Sequence, residues 1–538
     1  MTEAVELYKA GAAALVRRDF DQAQVFFSRA SQLDPGSAEN VIGLSLTASA
    51  LGAHRLAKSH ALSATSLRVD GGSVAVNVAR RLSYFNEYSA LVEFVENRLA
   101  ENPLSPIQLA EIAVLLSGIG DQDNAMRLVD QALLADPKHV PSIYFKGNLL
   151  SFMGDAKGAE LAYEHALSID GGYLQASWML SGLRLQTAQS NHIDRLRSQL
   201  VRCRAGSLGE AYLRYALHKE LHDLTEYKLA WAELERANQV MRSLVNYRES
   251  ESAMLIDELL RKFSERSLKV RSVVEQDCLP IFVVGLHRSG TTLLERMLSG
   301  HAELAAAGET YSFPEQLRHV VDHYARDAVD LTIAQKFSDS HLDAIATGYR
   351  RTVPWMAKGS RGYVEKLPAN FLNVPMIAKC LPSAKIICIE RDPMDVCFSN
   401  LRLLFPGVAN YSYRQDELAR FHCRYQALVK HWDLIASDVF MRIRYSDLVA
   451  EPEATLRHVM EFCGMTFQSG MLDVGIGKQA VSTASVASVR AGISPDRGGV
   501  WRNYSSWLEP LRSIVAEGYK LDKKNSPKRG CFSWGGFS

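Results

Sequence analysis

The chain has 538 residues, of which 47% are hydrophobic and 22% charged, with 61 Lys and Arg against 60 Asp and Glu. At roughly 150 residues per domain the length exceeds one compact domain, and the globular composition excludes a wholly disordered chain. A net charge of +1 excludes the basic excess of a dedicated nucleic-acid binder, so no nucleic-acid partner is expected, although a local basic pocket is compatible with it. Eight cysteines, none in a CxxC pair, are too few and too scattered for a disulfide framework and read as reduced thiols. The opening MTEAVELYKAGAAALVRRDF is an amphipathic helix pattern with an early acid; it lacks a signal peptide's basic start and unbroken apolar core. Apolar runs such as Ile281 to Leu286 are far short of the ~18 residues of a membrane helix. The expected protein is soluble and cytoplasmic, with no membrane span.

The N-terminal half repeats itself at an offset of 34. Ala125, Ala132 and Pro137 are followed 34 residues later by Ala159, Ala166 and Gly171, and Ala23 and Ala30 by Ala57 and Ala64. Phe27, Val129 and Tyr163 hold the bulky position between the alanines, and Gly11, Ala113 and Gly147 lie 12 residues before the first alanine of their copies. Two antiparallel helices per copy explain the spacing: small residues allow close approach, the bulky residue fills the groove, and Pro or Gly ends the second helix. The pattern is degraded over 72–105 and 172–205 and returns with Tyr227, Ala230 and Ala237. Over roughly residues 4–240 it resembles the tetratricopeptide repeat family, which implies an all-α solenoid. Such an array offers a surface to a peptide or partner, or serves as a scaffold for assembly, including a homo-oligomer.

Residues 241–278 read as a charged helical linker. Ile281-Phe282-Val283-Val284 then form a buried strand, and Leu293 to Leu298 open a helix. Between them lies Gly285-Leu286-His287-Arg288-Ser289-Gly290-Thr291-Thr292. A glycine-bearing loop between strand and helix aims backbone amides and the positive helix end at a phosphate. Thr291 stands where a GxxxxGK[ST] loop has its lysine, and the positive charge has moved to Arg288. Arg288, Ser289, Gly290, Thr291 and Thr292 are therefore candidate anion-binding residues.

This loop resembles the 5′-phosphosulfate motif of the sulfotransferases that use 3′-phosphoadenosine 5′-phosphosulfate (PAPS), nearest to the tyrosylprotein sulfotransferases and to bacterial sulfotransferases fused to tetratricopeptide repeats. A second strand, Ala384 to Ile389, leads into Glu390-Arg391-Asp392-Pro393. This resembles the 3′-phosphate motif, with Arg391 and, eight residues on, Ser399 sharing the phosphate. Tyr445-Ser446-Asp447-Leu448 resembles the segment whose tyrosine lies near the nucleotide. Thr483 to Arg490 resembles the segment that closes over it, and Gly499-Val500-Trp501-Arg502 the terminal GRW segment. Val500 departs from the charged residue usual there and leaves the third phosphate contact to Arg497 or Arg502. The resemblance covers roughly 279–515 and implies a phosphate-loop-like α/β domain with a parallel central sheet, placed at 279–520. A flexible tail is expected over 521–538.

The same resemblance implies the chemistry. Gly308-Glu309-Thr310 occupies the place of the relatives' catalytic glutamate, which makes Glu309 the candidate general base, a role contributing roughly 10²–10⁴-fold. Glu365-Lys366-Leu367-Pro368-Ala369-Asn370 resembles their DK-x-P-x-N segment, with Lys366 and Arg288 stabilising the departing phosphate. Ser485 is a further candidate for hydrogen bonding to the leaving group. His287 stands where these relatives carry proline and reads as a loop histidine. His319 and His323 are spaced like a metal pair but lack a third ligand, so no metal is expected. The implied function is transfer of the sulfuryl group of PAPS to a hydroxyl acceptor, a polypeptide tyrosine held by the repeats being one acceptor it allows. Two alternatives stand beside it: a repeat scaffold with a decayed nucleotide-binding half, and a phosphate-loop kinase using ATP.

Overall fold

The computed structural model describes residues 3–99, 104–264, 278–405, 407–474 and 498–525; Ser485 and the rest of 475–497, and the tail from 526, lie outside them. The described residues form two compact units, Met1–Leu149 with Glu309–Lys358, and Leu150–Gly308 with Gly359–Ser538.

The 34-residue period is realised as helix pairs. First helices of the pairs begin at Ala38, Gly72, Pro106, Val140, Leu174 and Leu208, each 34 residues after the last. Second helices begin at Phe20, His54, Tyr88, Gln122 and Ala156 in the same step, so the degraded third copy keeps its phase. The next begins at Ile193, 37 residues after Ala156. The three extra residues fall in the loop before it, where Gln186 N donates to Asp223 Oδ2 at 2.9 Å and His192 N to Glu220. Every repeat alanine named from the sequence is fully buried, and Phe27, Val129 and Tyr163 are buried with them. The spacing works because a larger residue has no room: a Cβ on Gly11 would stand 2.9 Å from the Phe27 ring.

In the first unit the core runs continuously from Ala38 to Leu149 through Leu82, Leu91, Ile112 and Leu128. The same unit holds Glu309–Lys358, with helices Ser312–Val321, Leu331–Lys336, Leu342–Arg350 and Val353–Ala357.

The second unit contains a five-stranded, all-parallel sheet of order β2-β3-β1-β4-β5, with β1 Leu279–Val284, β2 Leu304–Gly308, β3 Gly362–Glu365, β4 Lys385–Glu390 and β5 Phe440–Arg444. β1 and β4 are buried on both faces and read as nearly unbroken apolar runs, as a sheet covered by helices requires. The order reverses at β1, which pairs with β3 on one side and β4 on the other; in open α/β sheets that switch point is where ligands bind, beyond the carboxyl ends of the strands. Repeat helices of this unit pack directly on its α/β part. Trp231 stacks on Trp507 with ring centres 5.9 Å apart, Asn238 Nδ2 donates to the Leu401 carbonyl at 3.1 Å, and Arg242 pairs with Glu417 at 2.8 Å. The helix Tyr227–Leu244 runs across position 241, and the helix Glu249–Lys262 is tied by Glu249 to Arg420 and Arg424. No helix among the described residues is long and apolar enough to cross a membrane.

His222 hydrogen-bonds Tyr504 at 2.8 Å. Burial, with Arg402 and Lys219 nearby, pushes its pKa from the usual 6.5 to about 3, and burial alone pushes buried His422 to about 4. Both are neutral when folded and bind protons more readily when unfolded, so their contribution is complete above pH 6.5 and is lost as the pH falls toward 3. The thermal midpoint should therefore be flat above pH 6.5 and decline below it, and His222→Gln should flatten that decline; an unchanged acid limb in calorimetry would remove His222 from the account. Trp231→Ala, which empties a site against Trp507, should cost about 3–5 kcal/mol, read as a lower urea midpoint, whereas exposed Leu229→Ala should change stability by less than about 0.5 kcal/mol.

Candidate functional site

The site grows from the exit of β1. The chain leaves Val284 and turns through 285–290 into the helix Thr291–Ser299. The turn requires positive φ at Gly285 (152°), Arg288 (73°) and Gly290 (112°). A side chain is also excluded sterically: a Cβ on Gly285 would lie 2.7 Å from the Ile389 carbonyl oxygen, and one on Gly290 2.5 Å from the Tyr445 ring. Arg288 has no glycine's freedom, and a left-handed arginine costs of order 1–3 kcal/mol, a strain found where function demands it. The turn carries the first-turn amides and buried Thr291 and Thr292 to the carboxyl edge of the sheet, at the positive end of the helix. Ser289 is 1% exposed and its Oγ has no hydrogen-bond partner among the described residues. An orphaned buried hydroxyl costs free energy that a bound acceptor would recover.

β4 delivers the second half. After Glu390 the chain passes Arg391 into the helix Pro393–Leu401, whose first amides at Met394 and Asp395 are capped by Asp392 at 3.0 Å. Ser399 lies on that helix and its Oγ accepts from Arg288 Nε at 3.1 Å. The turn after β1 and the helix after β4 thus touch through residues 111 apart in sequence. Arg391 lies over the Tyr445 ring at 4.6 Å, and its Nε is 3.9 Å from Asp395 Oδ2. Burial pushes the Arg288 pKa down to about 10, and the positive charges of Arg391 and Arg402 push it the same way. Burial also lowers Arg402, one turn beyond Ser399. The charges of Arg391 and Arg402 thus act on Arg288 in the same direction as its burial. Sequence reasoning missed Arg402, although its i+3 spacing from Ser399 was a usable signal.

β3 supplies a lysine. Lys366, directly after β3, is 1% exposed; its Nζ lies 3.7 Å from Glu295 Oε2 on the helix Thr291–Ser299, and its amide donates to the Gly308 carbonyl at 2.9 Å. The Pro368 carbonyl accepts from Gly285 N at 3.2 Å, which joins the segment after β3 to the phosphate loop. Glu295 was not legible beforehand, because a carboxylate in the first turns of a helix reads as an ordinary dipole partner.

The terminal segment reaches the site through backbone. Gly499 N donates to Asp395 Oδ1 at 2.7 Å, linking it to the carboxylate beside Arg391. Val500 begins a short 3₁₀ helix to Tyr504, Arg502 is exposed over Trp501, and Arg497 lies outside the described residues. His287 Nδ1 is 3.2 Å from Tyr411 OH, and its carbonyl accepts from Asn400 Nδ2 at 2.7 Å, the contacts of a loop histidine. Ser485 lies outside the described residues. Glu309 is exposed and begins the segment that belongs to the other unit. His323 pairs with Asp330 at 2.7 Å, and no group of three His, Cys, Asp or Glu able to hold a metal occurs among the described residues.

Residues 280–469 match the model of the Sulfotransferase family, and residues 140–173 match a tetratricopeptide repeat. The chain is 28% identical over 314 residues to an uncharacterized protein of Aquifex aeolicus (strain VF5), covering 57% of this chain and 41% of that protein. It is 25% identical over 212 residues to Protein-tyrosine sulfotransferase 1 of Danio rerio, covering 38% of this chain and 59% of the relative. The chain therefore spans about half the length of these relatives. Among solved structures it is similar to the sulfotransferase domain from the Synechococcus PCC 7002 olefin synthase, at 18% identity and a TM-score of 0.33, covering 48% of this chain and 100% of that domain. The matched residues 280–469 contain β2, β3, β4, β5 and all but the first residue of β1.

Because Gly285 meets the Ile389 carbonyl, Gly285→Ala should displace the loop. Affinity for 3′-phosphoadenosine 5′-phosphate, used as a probe, should fall at least about tenfold, within the range for a lost charge-assisted contact. Calorimetric titration beside an unchanged far-ultraviolet spectrum is the check; wild-type affinity would show that the loop is not the anion site.

Proposed function

We propose that this chain is a PAPS-dependent sulfotransferase acting on a hydroxyl acceptor, with residues 279–520 as its catalytic domain and 1–240 as its repeat array. The observation that supports the reading is the Arg288–Ser399 contact, which brings the 5′- and 3′-phosphate motifs together among three arginines at the switch point of the sheet. The fit is chemical: the orphaned Ser289 hydroxyl, the amides before Thr291 and Thr292, and buried Lys366 suit a multiply charged phosphate ester. Tyr445, beneath Arg391 and against Gly290, is the residue proposed to lie beside the nucleotide.

In this reading Arg391 and Ser399 hold the 3′-phosphate, while Arg288, Ser289, Gly290, Thr291 and Thr292 hold the 5′ end. The acceptor oxygen bonds to sulfur as the bond from sulfur to the bridging phosphate oxygen breaks. The Glu309 carboxylate takes the acceptor proton, and Arg288 and Lys366 stabilise the charge left on the phosphate. Ser485 is proposed to assist there. No metal has a part. A tyrosyl hydroxyl is the proposed acceptor class, in keeping with the name of the Danio rerio relative. A cytoplasmic location remains part of the proposal.

Arg391→Ala should weaken 3′-phosphoadenosine 5′-phosphate binding by ~1.5–3 kcal/mol and leave adenosine 5′-phosphosulfate, which lacks the 3′-phosphate, nearly unaffected. Equal losses for both would make the arginine structural; preference for ATP would favour a kinase, and no binding of either nucleotide a scaffold. Glu309→Gln should leave nucleotide affinity within roughly a factor of three while kcat falls by ~10²–10⁴, less for a more acidic phenol. Wild-type turnover with the less acidic phenol would remove Glu309 from the mechanism.

A further inference from the structure

The second helices of the repeats share a cap position. Asp19, Asp121 and Asp155 precede their helices in the 34-residue phase, and each side chain accepts an amide of the first turn, from Gln22, Asn124 and Gly158. At the same phase the second copy has Ala53, which makes no side-chain cap, and the third has Glu87. The second copy also buries two polar side chains near its start: His54 is 2% and Lys58 8% exposed. A helix with no cap and buried polar side chains is incomplete by itself.

The segment Glu309–Lys358, in the same compact unit, completes it. Asp322 Oδ1 accepts from Arg55 N at 2.8 Å, supplying from a distance of 267 residues the carboxylate that Ala53 lacks. Glu315, 1% exposed, takes His54 Nε2 at 3.0 Å and Lys58 Nζ at 3.2 Å on one oxygen, and Arg318 lies 3.6 Å from the other. Glu87, at the cap position of the third copy, pairs with Lys58 at 2.6 Å. Tyr324 stacks on Tyr84 at 4.8 Å, and Tyr311 N donates to Tyr88 OH at 3.3 Å. Tyr311 stands next but one to Glu309 in the chain.

We infer that the second and third repeats are an intramolecular clamp whose work is to position the segment that begins at Glu309. This rests on the reading of Glu309 as the general base. Asp322, Glu315, His54 and Lys58 are positioning residues, acting on the acceptor proton only through the backbone they hold. A base displaced by about 1 Å can cost of order a hundredfold in rate, so a rigid mount for a carboxylate on an exposed turn is a catalytic requirement. In consequence this part of the array is occupied by the chain itself, and an acceptor peptide must use other repeats.

The test moves the cap back to the repeat. Ala53→Asp with Asp322→Ala gives the helix His54–Ser63 its own carboxylate, as in the neighbouring copies, and removes the anchor from the segment; Glu315→Gln loosens the buried node independently. In the full chain, amide exchange over 309–322 should quicken about tenfold or more in both variants, while exchange in 54–63 stays slow in the first. Transfer from PAPS to p-cresol should slow about tenfold or more in kcat, with affinity for 3′-phosphoadenosine 5′-phosphate within about threefold of wild type. Placed on Glu309→Gln, either variant should cost no further kcat, because clamp and base act as one unit. Unchanged exchange over 309–322, or a full additional loss on Glu309→Gln, would overturn the clamp. Wild-type kcat for Glu309→Gln alone removes the base, and with it the catalytic purpose of the clamp, while the exchange data still report whether the repeats hold the segment.

Discussion

The contact of buried Arg288 with Ser399 joins the turn after β1 to the helix after β4. Burial lowers the affinity of Arg288 for its proton, and the charges of Arg391, after β4, and Arg402, at the end of the following helix, act in the same direction. Asp395 offers a carboxylate to Arg391, and its oxygens are divided between that arginine and the Gly499 amide. An arrangement of this kind is unfavourable for stability by itself and becomes favourable when a multiply charged anion lies among the arginines. The left-handed Arg288 and the orphaned Ser289 hydroxyl are further strain that the same anion would relieve or use.

The surrounding protein is arranged to keep those charges in place. Buried β1 and β4 set the separation of the two segments, because their pairing puts Phe282 opposite Ile386 and Val284 opposite Cys388. Arg402 sits at the end of the helix that carries Ser399, next to Leu401, whose carbonyl is taken by Asn238 of a repeat helix. Tyr504, bonded to His222 of another repeat helix, ends the short turn that begins beside Gly499. The last repeats of the array thus pack on the α/β part, against the helix after β4 and the short turn after Gly499.

The repeats illustrate how departures from a periodic pattern carry information. A strict copy at 53 would have held Asp and capped its own helix, as at 19, 121 and 155. Ala53 and Glu87 break the period: the helix after Ala53 takes its carboxylate from Asp322, 267 positions from Arg55, and Glu87 pairs with Lys58 of the neighbouring copy. The physical rule is that a helix end needs its orphan amides satisfied from somewhere.

Local order was legible in the sequence wherever one element contained its own signal. The alanine–aromatic–alanine spacing specified helix pairs, since helix approach depends on side-chain size at the helical period of about 3.6 residues. The strand–glycine loop–helix pattern at 281–298 specified the turn from β1 into a helix, because backbone geometry is set within a few residues, whereas Arg391 and Ser399 were picked out by resemblance to a family motif. The tertiary structure alone decided what depends on distant residues meeting: the strand order that brings Arg288 onto Ser399, the third guanidinium of Arg402, the pairing of Lys366 with Glu295, and the cap that Asp322 lends to Arg55. Burial and electrostatic coupling are properties of proximity in space, and a linear pattern encodes them only where its neighbours in sequence are also its neighbours in the fold.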